Sequence, residues 1–319
     1  MRKSTGMHLL ALAGLSLVAA GQTRKAQEAT QAVSPRIHQL IEKLPAGSSH
    51  NLDIAYVLGN HSGTRPYSMQ ALDLYVPPGK GPFPLVFWIH GGGWHSGDKL
   101  ESGIHLALKF LPKGFALASI NYRLTADSPF PAQIEDCNAA LAHLRHCAER
   151  YRIDPDRVGT LGHSAGAHLA ALMACTGNEK RFSSDPQASL RVQASVWWAI
   201  PADLDRDRGK WPVTSMMHNP ASAPLWGFFP SRRYDGEFAR MASPASYVHG
   251  DIPPVLMVHG QQDELVPPGQ ALAFAESLKK AGVPITLRVV SNRGHDVMNE
   301  ESINEAIGFF TRTLKPEKR

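Results

Sequence analysis

A succession of short, almost wholly apolar runs constrains this 319-residue chain more than anything else in it. They are PLVFWIH (84–90), FALASINYRL (115–124), VQASVWWAI (192–200), PPVLMVHG (253–260) and ITLRVVS (285–291). A run without polar alternation reads as a strand covered on both faces. Helical spacing fills the gaps between them. Over 129–151 the residues Phe130, Ile134, Cys137, Leu141, Leu144 and Tyr151 fall on one helical face. Helices are also expected at 270–281 and 301–314, the second with Ile303, Ile307, Phe310 and Leu314 on one side. Strands alternating with helices predict an α/β architecture, a mostly parallel central sheet with helices on both faces. Two earlier strands, LDIAYVLG (52–59) and QALDLYVP (70–77), are expected to form a hairpin across NHSGTRPYS. Residues 204–246, rich in Pro, Trp, Phe and charge, break the alternation. They predict an insertion over the carboxyl edge of the sheet, where such folds bind ligands.

One more strand, in DRVGTLGHSAG (156–166), runs straight into a Gly-x-Ser-x-Gly turn. That pattern alone arises by chance in roughly one chain of this size in ten. Its setting gives it weight. Gly162 and Gly166 flank Ser164 where a side chain would clash as the chain doubles back, and the small-residue run AGAHLAALMA suits a helix packed closely on the sheet. Such a turn pushes the hydroxyl out at the top of the sheet, and the helix start beyond it offers free backbone N–H groups. A second element is WIHGGGWHSGDK (88–99), at the end of a predicted central strand. Three successive glycines bring bare N–H groups close to a ligand. Gly92 and Gly93, with Ala165 just after the serine, are therefore expected to form an oxyanion hole. A phosphate loop fits less well, because no Lys-Ser/Thr pair follows these glycines.

Composition bounds the rest. The chain is 43% apolar and 19% charged, an ordinary globular balance. Its net charge of +5 falls to +3 without Arg2 and Lys3, and the basic residues are scattered, so no nucleic-acid partner is expected. The opening MRKSTGMHLLALAGLSLVAAGQ has the layout of a cleavable signal peptide over residues 1–21, and export to the periplasm or medium is expected. Its apolar stretch is too short for a comfortable membrane span, so no stable membrane anchor is expected. Residues 22–50 then read as a leader and 51–316 as the domain. Cys137, Cys147 and Cys175 read as small buried hydrophobes, the first two on one helix and too far apart to bridge. No His or carboxylate spacing suggests a metal, and no cofactor is expected.

HGGGW followed by GHSAG resembles the α/β-hydrolase superfamily, in particular the hormone-sensitive-lipase-like esterases. ALDLYVP, HGGGWHSGDK, INYRLT, FPAQIEDCNAALAHLR and RIDPDRVGTLGHSAGAHLAAL are similar to the bifunctional feruloyl and acetyl xylan esterase family. The resemblance spans about 50–315 and implies an α/β-hydrolase fold with triad members in the order nucleophile, acid, histidine. Asp263, after the strand PPVLMVHG, stands where the acid belongs, and His295, after the last strand, where the histidine belongs. Asp203, after the preceding strand, is a rival acid, with Glu264 and Asp296 behind it. The resemblance also makes Asp136 and Arg123 a structural pair. It implies a secreted serine esterase acting on acetyl or feruloyl esters of plant polysaccharide. A short-chain carboxylesterase or lipase, an arylformamidase and a non-catalytic hydrolase-fold binding protein are the alternatives.

Fifteen histidines make a stray one unremarkable. His168 reads as a packed residue, His90 as a brace behind the glycine loop, and His259 as the end of a strand. For substrate contact the candidates are Trp94, walling an acyl pocket, and Trp211, Trp226, Phe228 and Phe229 of the insertion, stacking on a feruloyl or sugar ring. The competing reading is that these aromatics pack the insertion onto the body.

Overall fold

The computed structural model describes residues 35–57, 69–177, 181–183, 185, 187–205, 228–230 and 235–315. The chain divides into two compact units between Lys43 and Leu44. In the first, the described structure is helix α1 (Pro35–Ile41) and the turn after it.

The second unit is built on one eight-stranded sheet. In chain order its elements are β1 (Ser49–Ala55), β2 (Ala71–Val76), β3 (Phe83–Ile89), α2 (Ile104–Ala107), β4 (Ala116–Ile120), α3 (Ala132–His146), α4 (Ala148–Tyr151) and β5 (Ile153–His163). Then come α5 (Ala165–Thr176), β6 (Ala194–Trp198), α6 (Gly236–Ala242), β7 (Val255–Gly260), α7 (Gly269–Lys280), β8 (Ile285–Val290) and α8 (Glu300–Leu314). The spatial order is β1-β2-β4-β3-β5-β6-β7-β8. Only β2 runs antiparallel to its neighbours; every pair from β4 to β8 is parallel. From β3 the chain goes first to β4 on one side and then to β5 on the other. That reversal opens a crevice at the carboxyl ends of β3 and β5, the place where open α/β sheets bind ligands.

The uninterrupted apolar runs are strands because both faces are covered. Every residue of β2, β4, β6 and β7 is buried. The expectation of a buried strand at ITLRVVS is corrected here. β8 is an edge strand in which no residue is fully buried, and Val289 is 37% exposed. The helix expected over 129–151 is also two helices. Pro131 precedes α3, and Cys147 (φ −98°, ψ 16°) leaves helical geometry before α4. Tyr151 is buried from this second short helix. Cys147 is half-buried rather than buried, and all three cysteines are free. The helices expected at 270–281 and 301–314 begin and end within one residue of that reading, α8 opening on an Asn299–Ser302 capping box. β1 begins inside the stretch read as a leader.

Candidate active site

Four loops meet at the carboxyl edge of the parallel strands: those after β3, β5, β7 and β8. The first two are held side by side because Ile89 and Gly162 are register partners at the ends of β3 and β5. The serine turn works only with glycine on either side. A Cβ on Gly162 would lie 2.3 Å from the Gly166 backbone, and one on Gly166 would lie 2.1 Å from the Ile89 carbonyl oxygen. Between them Ser164 takes φ 54°, ψ −120°, a conformation that L-residues rarely adopt. Two backbone hydrogen bonds hold it: its N–H donates to the Trp198 carbonyl at 2.8 Å, and its carbonyl accepts from the His168 N–H at 3.0 Å.

Ser164 Oγ lies 2.9 Å from His295 Nε2, and His295 Nδ1 lies 2.8 Å from Asp263 Oδ2. Asp263 Oδ1 accepts the amides of Leu265 (3.0 Å) and Val266 (2.8 Å). Its Oδ2 also has His259 Nε2 at 3.3 Å. Burial by itself would raise the carboxyl, but hydrogen bonds from His259 and His295 outweigh it and hold Asp263 well below the usual carboxylate range. It is therefore an anion at any working pH, and it fixes the proton of neutral His295 on Nδ1. Nε2 is left as the acceptor facing the serine hydroxyl.

The rival carboxylates lie elsewhere. Asp203 has its amide on Gln270 Oε1 and accepts the Asp205 amide. Asp296 is exposed and accepts the Met298 amide, and Glu264 is exposed.

The glycine loop rests against the serine. A Cβ on Gly91 would sit 3.0 Å from the His163 carbonyl oxygen and 3.6 Å from Ser164 Cβ. Gly92 (φ +98°) and Gly93 (φ +58°) take conformations open to glycine, and a Cβ on Gly92 would lie 2.2 Å from the Ser96 carbonyl oxygen. The loop is tied down at both sides. Glu101 Oε2 accepts the Gly91 amide at 3.0 Å, and the Tyr122 hydroxyl donates to the His90 carbonyl at 3.0 Å. His90 stacks on the Tyr122 ring at 4.3 Å, behind the loop. Ala165 supplies the first amide of α5, beside the serine. The start of α5 places positive partial charge beside Ser164.

The predicted aromatic wall is corrected. Trp94 and Phe228 are wholly buried and pack on each other at 4.6 Å, and Phe229 is 3% exposed. Trp94 Nε1 donates to His168 Nδ1 at 3.3 Å, while His168 Nε2 donates to the Ala242 carbonyl at 2.7 Å. Large apolar rings gain most when fully desolvated, so here they support the glycine loop from beneath rather than face a substrate. Trp211 and Trp226 lie outside the described residues. Arg123 and Asp136 form a two-pronged pair, with the Arg123 amide also on Asp136 Oδ2. Among the described residues no three His, Cys, Asp or Glu side chains converge as metal ligands.

Sequence reasoning missed two roles. His163 Nε2 donates to the His295 carbonyl at 3.1 Å, and His259 reaches Asp263. His163 lies 132 positions from its partner, and nothing local signals the contact. His259, four positions before the acid, could have been suspected.

Comparison with known proteins adds the relatives. A family model described as BD-FAE matches residues 72–278. Esterase LipQ of Mycobacterium tuberculosis is 33% identical over 218 residues, covering 66% of this chain and 50% of LipQ. The probable carboxylic ester hydrolase LipM of the same bacterium is 33% identical over 204 residues, 63% of this chain and 46% of LipM. The chain thus spans about half the length of the curated relatives it matches. Among solved structures, a bifunctional GH43-CE protein of Bacteroides eggerthii superposes with TM-score 0.71 at 28% identity, over 83% of this chain and 35% of that one. A truncated carbohydrate esterase from gut microbiota gives 0.69 at 25% identity, over 83% and 96%. Esterase B of Lactobacillus rhamnosis gives 0.68 at 22% identity over 96% of both chains, a likeness of fold.

Proposed function

Since this chain belongs to the BD-FAE family and has the α/β-hydrolase fold, we propose that it is a serine carboxylic-ester hydrolase acting through an acyl-enzyme at Ser164. The observation that carries this reading is the continuous path Ser164 Oγ–His295 Nε2–His295 Nδ1–Asp263 Oδ2, with steps of 2.9 and 2.8 Å on either side of the imidazole. Ser164 Oγ attacks the ester carbonyl carbon as His295 Nε2 takes its proton. The carbonyl electrons move onto the oxygen, facing the amides of Gly92, Gly93 and Ala165. His295 returns the proton to the leaving alcohol, and Asp263 stabilises the imidazolium throughout. Water, activated by the same imidazole, then attacks the acyl carbonyl and releases the acid and free Ser164. No step calls on a cofactor. Each oxyanion donor contributes about 3–4 kcal/mol to the transition state.

For the substrate we propose acetyl or feruloyl esters on plant polysaccharide. The family and the two carbohydrate-esterase neighbours support this, and the amino-terminal layout supports export to where such polymers are met. A second reading, a general carboxylesterase, is favoured by the names of LipQ and LipM. Initial rates on 4-nitrophenyl acetate, acetylated xylan, methyl ferulate and a long-chain triacylglycerol, beside Ser164→Ala, separate the two. Turnover of acetylated xylan or methyl ferulate by the wild type alone supports the polysaccharide reading. Turnover of 4-nitrophenyl acetate alone leaves the mechanism and removes the substrate.

A further inference from the structure

His259 ends β7 with its ring wholly buried. Its Nε2 lies 2.8 Å from the Val266 carbonyl oxygen and 3.3 Å from Asp263 Oδ2. A carbonyl and a carboxylate can only accept, so Nε2 carries the proton and Nδ1 is the bare acceptor. That Nδ1 is buried and has no hydrogen-bond partner among the described residues. An unpartnered buried acceptor is a cost that an apolar side chain would avoid. What the histidine returns is a single N–H shared between the carboxylate and the turn that carries it.

From this we infer that His259 is a positioning residue for the proposed reaction: its Nε2–H fixes Asp263 and tempers its basicity, and so sets the pH range in which His295 serves as the base. The inference rests on the proposed triad. Asp263 Oδ2 is shared by two donors, His259 and His295, while the Leu265 and Val266 amides occupy Oδ1. Withdrawing one of the two leaves the carboxylate less well solvated, hence a stronger acceptor for the other. It then favours the imidazolium form of His295 more. His295 also faces Ser164 on Nε2, the His163 ring at 5.0 Å and, next along its loop, exposed Asp296; none of these is altered by changing His259.

His259→Leu and His259→Gln test this, the second able to keep a donor where Nε2 stood. In His259→Leu the acid limb of the kcat/KM profile is expected to move up by about half a pH unit. Its kcat is expected to fall roughly tenfold or more, the scale of a lost hydrogen bond to a charged group. The ring-carbon NMR titration of His295, which needs no substrate, moves up with it, and His259→Gln restores both. Unmoved titrations in folded His259→Leu, with only kcat reduced, would overturn the inference. If His259→Leu does not fold, His259→Ser takes its place, removing the donor to Asp263 with a smaller polar side chain. A wild type inactive on every ester, with the NMR shift present, would instead remove the esterase reading and keep the coupling.

Discussion

Acid should unfold this protein through three histidines that the fold holds neutral. Burial pulls His90 and His168 down to about 4, and burial with the charge of His295 does the same to His163. Each donates one ring N–H to a backbone carbonyl, His90 to Gly91, His163 to His295 and His168 to Ala242. His168 accepts from Trp94 and donates to the Ala242 carbonyl, so a second proton would face the indole N–H. In the unfolded chain these groups return to near 6.5. Between pH 6.5 and 4 the unfolded state therefore binds protons that the folded state refuses. Stability is complete above about 6.5 and lost as the pH falls towards 4. A displacement of about 2.5 units corresponds to about 3 kcal/mol per histidine. Together they approach the whole of an ordinary domain's stability, and midway through the window the slope is about 4 kcal/mol per pH unit. Asp73 and Glu101, raised by burial, act in the opposite sense, since their folded forms take up protons. The contribution of one histidine is best isolated by substitution. His168→Gln can keep a donor to the Ala242 carbonyl and cannot titrate. Urea unfolding at intervals from pH 7.5 to 4.5 should show a steep loss in the wild type and about one quarter to one third less slope in the variant. Equal slopes would refute the assignment to buried neutral histidines.

The remaining predictions concern strain, burial and loop geometry. Ser164→Gly should be more stable than Ser164→Ala by about 1 kcal/mol in thermal melts, since glycine accepts φ 54° without a Cβ penalty. Lys99, 1% exposed, pairs with buried Asp73 at 2.6 Å. Lys99→Met should cost about 3–5 kcal/mol by taking the counter-ion from that buried carboxylate, and Asp73→Asn in the same chain should recover part of it. Gly92→Ala places a methyl 2.2 Å from the Ser96 carbonyl oxygen in a positive-φ loop. Esterase kcat should fall by about two orders of magnitude, and the unfolding midpoint should fall by the few degrees that about 1–3 kcal/mol of backbone strain corresponds to.

The sheet was legible because covered parallel strands show as unbroken apolar runs, and α8 because Ile303, Ile307, Phe310 and Leu314 repeat on one face. β8 misled for a physical reason: Ile285 to Val290 is apolar enough for a central strand, yet chain order makes it the last strand, with a neighbour on one side only. Cys147 carries no local breaker, so the turn between α3 and α4 left no mark. Ser164, Gly162 and Gly166 could be read from spacing because the tight turn is a local requirement. Asp263 and His295 needed chain order from a family pattern, as the contact that joins them spans 32 positions. Trp94 was misplaced because a ring beside a glycine loop can face either way. Its partners, His168 and Phe228, are remote in sequence, and they decided that it points inward.

If Ser164 is the activated nucleophile that carries the acyl group, a fluorophosphonate will label it in the folded wild type, and peptide mass spectrometry will locate the adduct. One stoichiometric adduct is expected, on Ser164, with none in Ser164→Ala and much slower formation in His295→Ala. An adduct on another residue, or labelling that persists in Ser164→Ala, would contradict it.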